Sequence, residues 1–177
     1  MRIDILALLF SLSALAVSSG CGSAAGTSSQ TPSPAANIDA GQYTLSDEPE
    51  GAVGVIAARE SSEDGEPLVL VGRIGGAANP WIDGRAAFTL LDASMSVVAE
   101  GEDSGKGELC MGDCCATERL ECTTLVKVVD AQGQLVPVDS RELFGIKESD
   151  MVVVKGTAKK DKSGNFVMLA RGVFIRN

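Results

Sequence analysis

Cysteines are the residues of this sequence whose type and spacing could support chemistry most directly. Four of them, Cys110, Cys114, Cys115 and Cys122, fall within one short acidic stretch. The fifth, Cys21, stands alone near the N-terminus at the end of an apolar run. Clustered thiols can form disulfides, bind a soft metal ion or exchange with other thiols. Each of these chemistries needs a fold that holds the sulfur atoms close together.

Disulfides are favoured for the four clustered thiols, because their number is even and the chain has the marks of an exported protein. Pairing Cys114 with Cys115 would close a strained ring between neighbouring residues, which disfavours that pair. Two arrangements remain open, which are Cys110 with Cys114 and Cys115 with Cys122, or Cys110 with Cys115 and Cys114 with Cys122.

A metal site is the alternative use of the same cluster. Four thiolates with Met111 and Asp113 beside them could bind copper(I) or zinc. The spacing C-x-x-x-C-C differs from the paired C-x-x-C of the usual zinc sites, which disfavours this alternative. A redox role for free thiols is the third possibility. We therefore expect no resident cofactor, with copper or zinc as the alternative.

The sequence contains no histidine. Ser-His-Asp and Cys-His catalysis, histidine-ligated zinc and c-type haem attachment are therefore excluded. No Walker loop, HExxH motif or EF-hand spacing is present either. The glycine-rich GRIGG at 72–76 is followed by AANP rather than by a helix start, so it is interpreted as a tight strand turn and not as a phosphate cradle. We expect a protein that is not an enzyme.

The N-terminus has the organisation of a signal peptide over residues 1–20. Met1 and Arg2 precede an apolar run from Ile5 to Val17, and small residues follow it. The run is shorter than the roughly 20 apolar residues that a membrane-spanning helix needs, and no later segment is a second candidate. Export is therefore predicted rather than a permanent transmembrane helix.

A flexible tether is expected over residues 21–46. Residues 22–37 contain only Gly, Ser, Ala, Thr, Gln, Pro and one Asn, a composition that cannot bury enough apolar surface to fold. The formal net charge of −9 is unevenly distributed. Residues 92–122 hold eight acids against two bases, whereas residues 155–177 hold six bases against one acid. The domain should therefore have an acidic and a basic region.

Residues 47–177 are predicted to form one mainly β domain with a cysteine-rich insert at 93–122. Phe88 shares a strand face with apolar neighbours and is expected in the core. Strands are predicted where short apolar or β-branched runs are bounded by Gly, Pro or Asp, at 68–74, 86–91, 124–129, 151–158 and 166–175.

Two helices accompany these strands. The first is predicted from Asp47, as N-cap, to Arg59, and its apolar face consists of Val53, Ile56 and Ala57. The second lies between the third and fourth strands, over 140–144, and is capped by Asp139 and closed by Gly145.

This order of elements predicts a small five-stranded OB-fold-like Greek-key barrel with a helix ahead of it and a short helix between strands 3 and 4. The helix followed by LVLVGRI, AAFTLLD, LVKVVD and DMVVVKG resembles the periplasmic bacterial OB-fold proteins. The chain is also similar to a group of bacterial lipoproteins in which a cysteine-rich insert interrupts such a barrel.

The sequence Val17-Ser18-Ser19-Gly20-Cys21 resembles a bacterial lipobox. The resemblance implies that Cys21 receives a diacylglyceryl group and becomes the mature N-terminus. The protein would then be held on a bacterial membrane, on the periplasmic side or at the cell surface. A lipobox usually has leucine where this chain has Ser18, so cleavage without lipidation, which leaves Cys21 as a free thiol, is the alternative.

Ligand binding is the expected function. Lys159, Lys160 and Lys162 cluster at the predicted turn between the last two strands, which OB-folds use for ligands, although a solvated hairpin tip is the simpler interpretation. Trp81 is a candidate stacking platform, or a ring that covers the barrel end. Nucleic acid is an unfavoured partner because aromatic residues are few.

We expect a lipid-anchored module that binds an envelope protein or an anionic ligand, and metal handling or thiol redox chemistry at residues 110–122 is the alternative.

Overall fold

The computed structural model describes residues 38–98, 105–112 and 115–176. The signal peptide, Cys21, residues 22–37 of the predicted tether, Asp113 and Cys114 lie outside these ranges. The described part of the chain contains no helix that is both long and apolar enough to cross a membrane.

Short helices and eight strands make up the described chain. In order, they are a 3-10 helix (Ala40–Gln42), β1 (Val53–Gly54), α1 (Val55–Ser61), β2 (Pro67–Ile74), β3 (Ala87–Asp92), β4 (Ser96–Val98), β5 (Glu108–Cys110), α2 (Ala116–Cys122), β6 (Thr123–Val128), α3 (Ser140–Phe144), β7 (Met151–Lys160) and β8 (Phe166–Arg176).

Five of the strands close a barrel. They are joined in the order β2-β3-β6-β8-β7, and β7 pairs again with β2. Every pair in the ring is antiparallel except β6 with β8, which is parallel. The prediction of a mainly β, OB-fold-like barrel is confirmed, and each barrel strand begins and ends within two residues of its predicted bounds.

Aliphatic side chains fill the barrel because inward and outward positions alternate along each strand. β6 shows the pattern plainly, since its buried residues fall at every second position. Phe88 is fully buried, as predicted. At the bulge between Lys155 and Gly156, the chain passes so close to β8 that a Cβ at Gly156 would overlap the Leu169 carbonyl.

The first helix begins later than predicted. α1 starts at Val55 with Gly54 as its N-cap, and it does not include the residues after Asp47. Gly51, at φ 78°, and the two-residue strand β1 occupy that stretch instead. The buried residues of α1 are Val55 and Ala58. Of the predicted apolar face, Val53 precedes the helix and Ala57 is exposed, so that face is wrong at these two positions, whereas Ile56 packs against the insert.

Asp92 at the end of β3 supplies the side-chain cap that Gly54 cannot. Its carboxylate accepts the Ile56 N–H at 2.9 Å and the Ser94 N–H at 2.9 Å. A Cβ at position 54 would lie 2.5 Å from Asp92 Oδ2, so glycine is needed there. Asp92 is only 5% exposed, and this burial opposes its ionisation. The hydrogen bonds from Ser94 and from the start of α1 outweigh burial and lower the pKa of Asp92.

The insert between β3 and β6 folds against the barrel with its own small core. β4 and β5 pair in parallel, and α2 leads into β6. Leu91, Leu109 and Cys122 are buried together, with Ile56 and Met95 packed against them. These five residues are called the insert cluster below.

The N-terminal arm of the described domain is fixed to the last barrel strand, β8. Leu45 N–H donates to the Val173 carbonyl at 2.9 Å, and Val173 N–H donates to the Tyr43 carbonyl at 2.8 Å. Residues 38–46, which the sequence assigned to the tether, thus pack along β8.

At α3 the predicted cap is confirmed, because Asp139 accepts the Arg141 N–H and Gly145 ends the helix at φ 68°.

Candidate functional site

A cavity of about 520 Å³ lies on the outer face of β3, β6 and the start of β8. Its floor is a row of outward side chains, Thr89, Leu125 and Val167, which are neighbours across the three strands. This volume is within the roughly 300–1,000 Å³ of small-molecule sites. The cavity is called the barrel-face pocket below.

Loops and helices form the walls of the barrel-face pocket. Gly76 and Ala77 come from the β2–β3 connection, and Asn165 comes from the β7–β8 turn. OB-folds bind ligands on the face of their second and third strands between these same two loops. Here α2 of the insert adds a further wall, with Leu120 at the rim and 66% exposed.

Two half-buried arginines line the pocket, one from each flanking helix. Arg59 of α1 donates through Nη1 to the Thr123 carbonyl at 3.3 Å, and its guanidinium carbon lies 6.0 Å from the centre of the Phe166 ring. Arg119 of α2 donates through Nη1 to the Cys110 carbonyl at 3.4 Å and to the Gly112 carbonyl. Within the described ranges, neither arginine forms an ion pair with a carboxylate.

The three predicted lysines are divided among different roles. Lys160 Nζ donates to the Arg59 carbonyl at 2.7 Å and to the Ser62 carbonyl at 3.3 Å, so it caps the C-terminal end of α1. Lys159 pairs with Asp64 at 3.0 Å on the surface. Lys162 is exposed in the β7–β8 turn. They do not converge on one anion site, and none of them lines the barrel-face pocket.

Asp64 ties the base of the β7–β8 turn to the segment that follows α1. It accepts the Lys160 N–H at 2.9 Å as well as the Lys159 ammonium. These two hydrogen bonds, the first being the larger cause, lower the pKa of Asp64. The carboxylate therefore neutralises the basic turn locally.

Trp81 lies outside the barrel-face pocket. Its ring packs against Phe88, with the ring centres 6.5 Å apart, and the Arg141 guanidinium lies 5.5 Å from its centre. Arg141 in turn pairs with Asp139 at 2.6 Å and with Asp83 at 2.8 Å. The Arg141 hydrogen bond holds the pKa of Asp139 well below its usual range. Trp81 is therefore sandwiched between the core and a charged network rather than open to stack on a ligand.

A second cavity, of about 300 Å³, also borders α2. Its polar lining comes from Glu108, Glu118, Glu121 and Cys122. Cys122 is a thiol whose Sγ lies 3.7 Å from the Arg119 carbonyl. Burial raises the pKa of Cys122, and the nearby carboxylates raise it further. This cavity is called the acidic cavity below.

Three of the four clustered cysteines are described. Cys110 and Cys122 are buried and Cys115 is half-buried, and no two of them lie at disulfide distance from each other. Each predicted disulfide arrangement includes one pair of these three, so neither arrangement is complete in this structure. The described residues also contain no group of three or more acidic or cysteine side chains that could hold a metal ion. Because Asp113 and Cys114 fall outside the described ranges, the disulfides and the metal site stay predictions.

Sequence reasoning did not single out the two pocket arginines. A signal for both was present, because Arg59 is the one base against eight acids in residues 39–66, and Arg119 is one of two bases in residues 92–122. A lone base in an acidic stretch is a feature worth explaining. Arg59 finds its carbonyl partner at Thr123, far along the chain, whereas Arg119 finds its partners at Cys110 and Gly112 of the same insert.

No protein-family model matches the chain, and no curated protein matches it.

Proposed function

We propose that this chain is an exported, non-enzymatic binding module that is lipid-anchored at Cys21 to a bacterial membrane and holds a small ligand in the barrel-face pocket. One observation carries the binding part. The pocket lies on the strands and between the loops that OB-folds use for ligands, and two arginines without carboxylate partners in the described chain line it.

The proposed anchor is supported by the lipobox-like sequence before Cys21 and by the composition of residues 22–37. The ordered arm that follows joins β8 at Val173, seven residues beyond Phe166 in the pocket lining. At about 3.3 Å per residue, this separation is roughly 23 Å along the strand. The described end of the arm therefore joins the barrel at a distance from the pocket lining.

Lipidation is tested by expressing the full precursor in a bacterium, with Cys21→Ser as the variant. We expect the wild-type protein to partition into detergent and its N-terminal peptide to have the added mass of a diacylglyceryl group. The variant should partition into the aqueous phase. A wild-type N-terminus at Cys21 without lipid would contradict the anchor and leave the pocket proposal untouched.

Binding is tested by filling the pocket from its floor. Leu125→Trp places a large ring in it, and Leu169→Trp is the matched control, because Leu169 faces outward on β8 and does not line the pocket. Purified proteins are incubated with a small-molecule extract of bacterial envelopes and analysed by native mass spectrometry. We expect wild type and the control to retain a ligand that Leu125→Trp loses. Equal retention by all three would overturn the pocket as the binding site.

A further inference from the structure

We infer that the ligand of the barrel-face pocket is an aliphatic anion, with a carboxylate or phosphate head at Arg59 and Arg119 and a short hydrocarbon body on the floor of the pocket. The inference deepens the proposed function and rests on it. It assigns a ligand class that differs from the oligonucleotides and oligosaccharides that bind this face in OB-folds.

The head group is specified by the two guanidinium groups. Each arginine uses only Nη1 for its hydrogen bonds to main-chain carbonyls, so Nε and Nη2 are not engaged by other described residues. The carbonyl bonds orient the guanidinium groups without neutralising them. A planar guanidinium with such donors left over suits a carboxylate or a phosphate, to which it can donate two parallel hydrogen bonds.

The body is specified by the floor and the rim. Leu125 and Val167 are outward positions of the barrel, where a sheet that faces water usually has polar side chains. Leu120 adds an exposed side chain at the rim. A single exposed leucine is ordinary, but here three aliphatic residues line one concave surface beside two cations. An apolar chain that ends in an anion matches this arrangement.

Nucleic acid and sugar ligands fit the pocket less well. Both are usually held on exposed aromatic rings, and the one aromatic residue in the pocket lining, Phe166, is only 4% exposed. Trp81 is packed elsewhere under Arg141. A polyanion would also extend beyond the two arginines over a protein whose net charge is −9. A molecule with one anionic head avoids that repulsion.

The test is isothermal titration of the purified mature protein with octanoate, octyl phosphate, octanol and acetate. We expect octanoate or octyl phosphate to bind, and the stronger of the two identifies the head group. Octanol should bind at least roughly tenfold more weakly, because it cannot replace the charge-assisted hydrogen bonds, each of which is worth about one order of magnitude. Acetate should bind at least roughly tenfold more weakly because burial of the hydrocarbon chain is lost.

Arginine variants locate the site. Arg59→Gln and Arg119→Gln should each weaken octanoate or octyl phosphate roughly tenfold, whereas Arg171→Gln should leave affinity unchanged. Arg171 is an exposed arginine on β8 that does not line the pocket. Thermal unfolding of each variant is measured alongside. The comparison of octanoate with octanol uses wild-type protein, so it decides the question even if Arg119→Gln unfolds the insert.

The outcomes separate this inference from the proposed function. Octanol binding as tightly as octanoate and octyl phosphate, with no effect of Arg59→Gln, would overturn the anionic head and leave a neutral apolar site. If acetate bound as tightly as octanoate, the inference that the ligand has an aliphatic body would be overturned. Binding of a single-stranded oligonucleotide that competes with octanoate would replace the ligand class. Failure of all probes while an envelope ligand is still lost in Leu125→Trp would overturn the inference alone. Failure of both tests would overturn the proposed function as well.

Discussion

The two cavities beside α2 have opposite charges. The barrel-face pocket receives Arg119 and Leu120 from this helix, whereas the acidic cavity receives Glu118, Glu121 and Cys122. Successive helical residues are rotated by about 100°, so these two sets lie on opposite faces of α2. One short helix therefore separates a basic apolar pocket from an acidic one.

This difference shows that the charge of a stretch of sequence does not set the charge of the cavity it lines. Residues 92–122 are strongly acidic by count. The helical period nevertheless turns two of the acids away from the barrel and leaves Arg119 facing it. The excess of acids in the insert is therefore compatible with binding of an anion on the barrel face.

The two cavities share a support. The insert cluster lies under α2, and α1 gives Arg59 to one cavity and Ile56 to the other. Damage to the shared support should affect both cavities, whereas changes on one face of a helix should affect only one.

The largest effect is expected from Leu109→Ala. Leu109 is fully buried in the insert cluster, and truncation of a buried leucine costs about 2–5 kcal/mol. We expect residues 108–122 to lose hydrogen-exchange protection and both cavities to be lost. Val97→Ala is the control, because Val97 pairs with Leu109 in the sheet but is 48% exposed. Equal loss of protection in the two variants would show that the cluster is not the support.

The second prediction concerns Asp92→Asn, which should weaken the cap at the start of α1 and so destabilise this helix. The amide cannot accept all the hydrogen bonds that the carboxylate accepts, so we expect a loss of about 1–2 kcal/mol at neutral pH in chemical unfolding. Asp47→Ala, at the position where the sequence predicts the cap, should change the free energy of unfolding by less than about 0.5 kcal/mol, because the Asp47 carboxylate accepts a hydrogen bond from exposed Ser46 and not from α1. A loss of about 1 kcal/mol or more at Asp47 would contradict the assignment of the cap to Asp92.

The cap should also depend on pH. Because the folded pKa of Asp92 is lowered, its stabilising contribution is fully present above the unfolded value of about 3.9 and is lost as the pH falls through the folded value. The stability difference between wild type and Asp92→Asn should therefore narrow below about pH 4. A difference that stays constant down to the acid transition would mean that the charge is not what caps α1.

The barrel was predictable because its determinants are local. Alternation of apolar and polar residues gives each strand, and α3 contains both its cap, Asp139, and its terminating Gly145 within one short segment. The start of α1 was not predictable in this way. Its cap, Asp92, is 36 residues away from the N–H group it accepts, whereas the local capping pattern in the sequence lies at Asp47.

The candidate site was not predictable from local pattern because it is assembled from distant segments. Arg59 and Arg119 are brought to one pocket only after the insert has folded onto the barrel. The three lysines were the visible basic cluster in sequence, yet the fold uses Lys160 to hold α1 and gives Lys159 an acidic partner. Proximity in sequence was a poor guide to convergence in space.

Lys160→Gln should have a smaller effect than the loss of the Asp92 cap. In the wild type, its ammonium donates to two carbonyls at the end of α1, and glutamine cannot replace this charged donor. We therefore expect the free energy of unfolding to fall by about 1 kcal/mol. Affinity for octanoate should fall two- to threefold, because Arg59 lies in the same last turn. Lys162→Gln, an exposed control, should change neither quantity in denaturation and titration. If Lys162→Gln weakened octanoate binding more than Lys160→Gln does, the β7–β8 turn would be favoured as the anion site.

The smallest effect concerns Cys122 on the acidic side of α2. Burial is the first cause of its raised pKa, and Asp92, Glu118 and Glu121 are lesser causes. Alkylation by iodoacetamide, followed at this residue by peptide mass spectrometry, should therefore be slow at pH 8, because thiolate is the reactive form.

Replacing Glu118 and Glu121 by Gln removes only lesser causes of the raised pKa and should increase the alkylation rate a few-fold at most. Leu109→Ala should raise it far more, because it opens the cluster around the sulfur. If the double Glu variant reacted as fast as Leu109→Ala, the charge of the cavity rather than its packing would control this thiol.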